Sequence, residues 1–559
     1  MRVTIVVLIA GAGPAGLALA IELGMRGVAC IVIEPQHPVP LADYWHSDAF
    51  KSPRAKLTNM RTMEHLRRWG IADTLRAAAP LPQSFPQRII FTTRLNARHE
   101  LARFDDAFGH DGAEGTSPEG PQQCPQFVLE SVLRDRARSL AACDLRFGER
   151  LASFEQQADG VVATIERTDG TLYTIDAEIL AGCDGSHSVV RHGLGITMVG
   201  DHAISASLSV VFRSPDLAAA IAHPPAIHYW LVNGDAPAIC GPLGNGLWWI
   251  MFTAGNFGTT PPPLEEITRL MHAAVGVPIA FDVIDASPWS AHRLAATQYR
   301  DRRVFLLGDA AHLHPPTGGH GMNMGIGDAV DLGWKLAAVF EGWGGPELLD
   351  SYEAERRPIH ERTIASAVNN WAFVANSFAD CDLESDGAVA DANRLRMKAE
   401  IRAAKLPEFR SPGLVLGASY AHSPIVAASE AGDVATESVI TYTQSAAPGS
   451  RAPHRWLVDG TSLYDHFGPG FTLLQFGSTP PSTEAFEEAA RARGIPLRLV
   501  RRADDGLAEL YAAPLALIRP DQHVAWRGDA VPIAIDELID RVCGGAVIGL
   551  LAEPVATSV

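Results

Sequence analysis

The chain has 559 residues, 47% of them apolar and 20% charged, an ordinary globular composition with room for two or three cored domains. Its formal charge of −18 argues against a nucleic-acid or anionic-membrane surface. Residues 3–10 could imitate a signal-peptide core, but glycines interrupt the run and no cleavage site follows. No unbroken apolar stretch reaches the roughly 20 residues needed to span a bilayer. Seven scattered cysteines, without C-x-x-C or metal-ligand spacing, fit structural thiols in a reducing cytoplasm.

An apolar strand over residues 3–10 runs into GAGPAG, which sets Gly11, Gly13 and Gly16 in the G-x-G-x-x-G spacing, and then a helix over about 14–26. A second strand, 29–33, ends in Glu34. Strand, glycine turn, helix and a later acid together predict a dinucleotide-binding fold. Its pyrophosphate would sit on the helix N-terminus and its ribose on Glu34, whether the ligand is NAD or FAD. The following loop carries Tyr44, Trp45, His46 and Asp48, then Arg54 at a loop end where its guanidinium suits a phosphate or a ring carbonyl. Arg61, Arg67 and Arg68 on the next amphipathic helix read as solvated. Short strands occupy 88–104, a polar surface loop 105–123, and Gln126 opens another helix.

After strands near 161–166 and 172–181 comes GCDGSHSVVR, where Asp184, Gly185, Ser188 and Arg191 could ring a pyrophosphate or its water. Residues 196–290 change to β-type alternation with many prolines and no glycine fingerprint, a sheet inserted into the nucleotide-binding part. Tyr229 and Trp230 lie on one of its strands and are candidates to line an aromatic pocket.

The next stretch, RVFLLGDAAHLHPPTGGHGMNMGIGDAVDLGWKL, reads as buried strand, acid, glycine-rich loop and helix start. Backbone N–H groups and the positive helix end there face a ligand that carries or develops negative charge, and Asp309 would accept from ligand hydroxyls. His312, His314 and His320 cluster in the loop, but no carboxylate or cysteine in it completes a metal site, so no metal is expected. Helices continue to about 405 and a small-residue linker spans 406–447. Residues 448–545 form a further α/β module with strands at 471–476 and 497–500 and two more around a turn at Arg519.

GAGPAG with Glu34, CDGSHSVVR, and GDAAHLHPPTGGHGMN with DAVDLGWKLA, in that order, resemble the class A FAD-dependent aromatic monooxygenases of the para-hydroxybenzoate hydroxylase type. Length and tail resemble the phenol and polyketide hydroxylase branch, which ends in a thioredoxin-like domain. The resemblance implies an α/β fold with a Rossmann-like FAD-binding domain of the glutathione-reductase type in two parts (1–195 and 291–405), the inserted β-sheet substrate domain at 196–290, and the thioredoxin-like domain at 448–545. Gly11, Gly13, Gly16, Glu34, Arg54, Gln126, Asp184 and Asp309 would hold FAD. Pro316, with the backbone of Gly319, Gly321, Met322 and Asn323, would line its ring.

By that resemblance, NAD(P)H visits as a transient co-substrate, and O2 yields a flavin C4a-hydroperoxide that hydroxylates a small aromatic or phenolic substrate. His46, with Asp48 second, is the expected base for the phenol proton. Epoxidation, Baeyer–Villiger insertion, antibiotic modification, and a flavin oxidase or dehydrogenase stand as alternatives. The tail lacks C-x-x-C and holds only Cys543, so a structural or dimer-contact role is expected of it, leaving a homodimer open.

Overall fold

A computed structural model describes residues 5–45, 55–108, 115–255, 257–372, 382–428, 438–503 and 506–545. His46, Asp48 and Arg54 therefore lie outside the described residues.

The nucleotide-binding part is organised by a parallel sheet. In spatial order its strands are Val304–Leu306, Leu172–Gly182, Ile5–Ala10, Cys30–Glu34 and Cys143–Phe147. The central strands Ile5–Ala10 and Cys30–Glu34, with Val304–Leu306, are near-continuous apolar runs because the sheet is covered on both faces there. Pairings of Ala10 with both Ile33 and Gly182, and of Gly182 with Leu306, align the carboxyl ends of strands far apart in sequence. Each of the three signatures begins where one of those strands ends. The sheet thus gathers Gly11, Glu34, Asp184 and Asp309 along one edge, the position at which open α/β sheets take ligands.

Two helices cover this edge, Pro14–Gly24 and the largely buried Gly321–Phe340. Small residues let them approach: a Cβ built on Gly333 would meet Glu22 Cβ at 2.5 Å, and one on Gly325 would meet Ala15 Cβ at 3.4 Å. Glu22, fully buried, accepts from Trp69 Nε1 at 2.6 Å and pairs with Arg26 and Arg68. Burial pushes its carboxyl up, but the two guanidiniums overcome this and hold it below the usual range.

The second large sheet takes its strands in the order His312–Leu313, Asp282–Ala296, Met198–Arg213, Leu247–Phe252, Ala238–Gly244, His228–Leu231, Ile89–Thr92 and Glu100–Phe104. It is therefore not confined to residues 196–290, as its alternation suggests. His228–Leu231 pairs in parallel with Ile89–Thr92, and the last two strands come from the stretch assigned by sequence to the nucleotide-binding part. No periodicity within a strand records which distant strand will pair with it. Nor is 105–123 only a surface loop: Gln122–Gln123 pairs with Leu57–Thr58, and Glu119 is buried.

The tail forms a four-stranded sheet ordered Leu497–Arg502, Phe471–Phe476, Leu515–Ile518, Val524–Gly528, one parallel pair followed by two antiparallel ones, with flanking helices Glu484–Ala492 and Ile535–Val542. This is the thioredoxin-like arrangement. Its Cys543 is buried and its thiol is pushed up to about 12, unsuited to exchange chemistry.

The tail is locked onto the nucleotide-binding part by buried charge. Arg519, read from sequence as a turn residue, is almost fully buried. It donates to Glu355 Oε1 at 2.6 Å and to Asp521 Oδ2 at 2.6 Å, while Lys335 donates to Asp331 at 2.8 Å and to Glu355 at 2.6 Å. The arginines read as solvated are consumed similarly. Arg61 bonds Glu64 and Gln522, Arg67 bonds Asp465 and Glu119, and Arg68 bonds Glu22. An amphipathic helix shows a polar face, but not whether a carboxylate or water will meet it.

Candidate flavin and substrate site

Two cavities meet at the carboxyl edge of the parallel sheet. One, of about 730 Å³, is lined by Gly11, Ala12, Glu34, Tyr44, Asp184 and their neighbours. The other, of about 380 Å³, runs from Pro14 and Asp309 to the second sheet. Gly13, Gln126, Cys183 and Gly185 line both, so the pair makes one elongated groove.

The glycine turn is shaped for close approach. A Cβ on Gly11 (φ +105°) would strike Cys183 O at 2.3 Å, and one on Gly16 would strike Gly11 O at 2.0 Å. At Gly13 a Cβ would meet nothing within 4 Å and would stand in the groove. Glu34 accepts from the Ala12 N–H at 2.9 Å and the Gln36 N–H at 3.1 Å, which fixes its carboxylate at the rim. Asp184 accepts from the Val190 N–H at 3.0 Å with Oδ2, while its Oδ1 is buried with no hydrogen-bond partner. A buried orphan acceptor in a ligand-sized groove is what a bound hydroxyl or water satisfies.

Both covering helices point their N-termini into the inner cavity, where Pro14, Ala15, Gly321 and Met322 line it beside Asp309, Pro316 and Gly319. Their dipoles favour negative charge there. An ionised diphosphate at one end and a ring that becomes anionic at the other fit this field.

Other sequence expectations need correction. Arg191 does not reach the groove. Its guanidinium donates to Ala310 O at 3.0 Å and Ser186 O at 2.8 Å, stapling two signatures together, while Ser188 caps the Arg191 N–H. The Asn323 side chain braces the loop, its amide donating to Leu57 O and Gly319 O and accepting from the Asn59 N–H at 2.7–3.0 Å, so that only its backbone is left to line a ring. The three loop histidines diverge. His312 bonds Asp328 at 3.0 Å, in a cluster with His360 and Arg356, whereas His314 and His320 line the inner cavity. His312, Asp328 and His360 come within metal-binding reach of one another, but the same carboxylate already serves Arg356 and the Gly308 N–H. Asp331, Glu355 and Asp521 likewise surround Arg519, with Lys335 on the first two.

The far wall is one face of the second sheet. Phe91, Trp230, Ile239 and Met251 are register neighbours across four strands, and the last three line the cavity together with His228 and Trp249. Trp230 stacks on Phe91 with centroids 5.1 Å apart. Tyr229, named with Trp230 as a pocket candidate, points the other way. It packs in the core beneath helix Leu264–Val275, donating to Pro224 O at 2.9 Å and accepting from the Ala226 N–H at 3.1 Å. Adjacent strand residues take opposite faces, so only one of the two could line the cavity.

Lys56, Phe108, Trp371 and Glu408 complete the wall and were not singled out from sequence; they come from loops and helix ends with no motif. Burial holds the imidazoles neutral: His228 is pushed down to about 3, His314 to about 3 and His320 to about 4. His314 Nδ1 lies 2.7 Å from Pro315 O, so that nitrogen carries the proton and Nε2, buried without a partner, is a bare acceptor. Signal for these residues existed only as an unusual density of aromatic and histidine residues in the strands and loop.

Comparison with known proteins agrees with this geometry. Residues 4–367 match the FAD binding domain family, and residues 445–546 match the aromatic-ring hydroxylase C-terminal family. The chain belongs to the FAD-dependent aromatic-ring hydroxylases. It is 32% identical to the FAD-dependent monooxygenase apdD of Emericella nidulans, over 97% of this chain and 90% of that one. It is 29% identical to the 2,4-dichlorophenol 6-monooxygenase of Delftia acidovorans, over 94% and 93%. Among solved structures, aklavinone-11 hydroxylase in complex with FAD and aklavinone superposes with a TM-score of 0.81 at 29% identity, over 97% of this chain and all of that one. This hydroxylase is therefore a flavoprotein monooxygenase that takes FAD as cofactor. No helix among the described residues is long and apolar enough to cross a membrane.

Proposed function

We propose that the hydroxylase inserts one oxygen atom from O2 into a phenolic or fused-ring aromatic substrate held between the glycine loop and the Trp230 face of the second sheet. The observation that carries this reading is that face. An apolar row of Trp230, Ile239 and Met251, flanked by Trp249, stands opposite Pro316, Gly319 and Met322 across a cavity of about 380 Å³. FAD, when bound, supplies the oxygen activation and takes electrons from NAD(P)H.

The protein's own residues have three tasks. Gly11, Gly13 and Gly16 admit the pyrophosphate to the helix N-terminus, Glu34 accepts from the adenosine ribose, and Asp184 and Asp309 accept from cofactor hydroxyls or their waters. The indoles and Met251 exclude water from the reacting face. The neutral His314 presents Nε2 as a hydrogen-bond acceptor to a substrate hydroxyl, orienting it without adding charge. His46 remains proposed as the proton acceptor, and Asp48 as its second.

The chain carries one G-x-G-x-x-G, so NAD(P)H has no dedicated fold and comes and goes. The test is the visible spectrum of purified protein, followed by NAD(P)H oxidation under air across monocyclic phenols and fused-ring phenols. A flavin spectrum with one phenol that accelerates NAD(P)H loss and gains one oxygen atom by mass is expected. Hydrogen peroxide as the sole product with every phenol would favour an oxidase.

A further inference from the structure

Among the described residues, Lys56 lines the cavity with no carboxylate paired to its ammonium. Its ammonium stands 4.0 Å from the centroid of the Trp249 ring, on the substrate side of the cavity. Among the described residues no carboxylate pairs with it, and burial alone lowers it, to about 8, so it still carries its proton at neutral pH. The groups around it do not compensate. His228, whose ring lies edge-on to the Trp249 ring at 5.3 Å, is neutral, and Glu408, elsewhere in the wall, is already taken by Lys405 at 2.7 Å. His314 and His320, across the cavity, are neutral as well. The contrast between the two lysines is informative. Lys405, behind Trp230, has a carboxylate and the Asn370 carbonyl, whereas Lys56 has a π face and open cavity.

We propose that Lys56 is the substrate's anion anchor: it pairs with an oxyanion attached to the aromatic ring, a carboxylate or a phenolate, and selects anionic over neutral aromatic substrates. The inference rests on the hydroxylase reading for the word substrate, but it concerns equilibrium binding. A cation left unpaired beside an apolar, water-poor face is poorly solvated, so an incoming anion gains a partner there that water no longer supplies. Trp249 holds the ammonium in place from behind, leaving its remaining N–H donors for the ligand. If the anion is a phenolate, the same ion pair favours loss of the phenol proton and so a more electron-rich ring. If it is a carboxylate, the pair sets which ring edge faces the glycine loop.

The experiment uses FAD-loaded full-length protein without NAD(P)H. Two probe pairs are titrated by perturbation of the flavin spectrum near pH 7.5: 2-naphthoate against 2-naphthamide, and 4-nitrophenol against 4-nitroanisole. The wild type is expected to favour the anion at least tenfold in one pair or both, and the pair that discriminates identifies the oxyanion. Lys56→Met should abolish the preference while retaining FAD, and Lys56→Arg should keep it. Equal affinity of anion and neutral partner in the wild type, an undiminished preference in Lys56→Met, or no binding by any of the four would overturn the anchor. Oxygen insertion without anion preference sinks only the anchor, and anion preference without oxygen insertion in the earlier assay sinks only the hydroxylase reading.

Discussion

The two halves of the groove are built by different rules. The flavin half is made of contiguous segments that present backbone: GAGPAG, the CDGS turn, and the loop from Asp309 to Met322, each emerging from the end of a parallel strand. The substrate half is made of single side chains, one per alternate residue, contributed by strands around 230, 239 and 251 and by loop residues such as Lys56 and Phe108. Backbone-led sites demand glycine at particular spacings, because a Cβ obstructs either the turn or the ligand. Side-chain-led sites demand only the right alternation and tolerate many residue types. The first half is therefore generic to a cofactor and the second particular to a substrate.

Four substitutions probe this division. Gly13→Leu places a side chain in the open groove and should weaken FAD retention by at least about 100-fold, or about 2.7 kcal/mol. The circular dichroism and thermal transition of the apoprotein should stay close to wild type. A fully flavinated Gly13→Leu protein would erase the distinction between the halves. Asp309→Ala removes an acceptor for cofactor hydroxyls and should cost roughly 10- to 100-fold in FAD affinity, on the scale of about 1.5–3 kcal/mol for a charged hydrogen bond. Flavin fluorescence released on dilution measures it, and unchanged retention would remove Asp309 from the site.

On the other side, Trp230→Ala should leave FAD content unaltered. It should raise KM roughly tenfold for the best phenol of the panel, with some loss of thermal stability because the indole also fills core space. A drop in FAD content without a KM change would show that the two halves are not separable at this residue. The smallest effect belongs to Tyr229→Phe, next door on the same strand. It loses two backbone partners on the opposite face and should cost only about 1 kcal/mol of stability, with kinetics unchanged. Altered KM there would mean that the sheet's far face communicates with the cavity.

Much of this contrast is legible in the sequence, and the limits follow the same line. The glycine spacing, Glu34, Asp184 and Asp309 can be named from motifs because each motif is a local solution to a local problem. Two adjacent residues, Tyr229 and Trp230, could both be offered as pocket residues because alternation states that one face is buried, not which face. Here both faces are buried, one by a helix and one by the cavity, so composition does not separate them. Arg519 reads only as a turn residue and Arg61 as solvated, since the partners that tie them to other parts of the fold, Glu355 and Gln522, lie far away in the chain.

The sequence by itself determined the nucleotide fold, the cofactor class, the family and the absence of a redox pair in the tail, for these depend on short-range steric and chemical requirements. Tertiary structure alone decided that strands at 89–104 complete the second sheet and that the tail is clamped by buried charge. It also decided that Arg191 and the Asn323 side chain are fasteners, and that a lysine with no carboxylate partner among the described residues stands in the cavity beside Trp249. Each of these is a relation between residues distant in sequence, set by strand pairing and by which opposite charge arrives first in a space that excludes water.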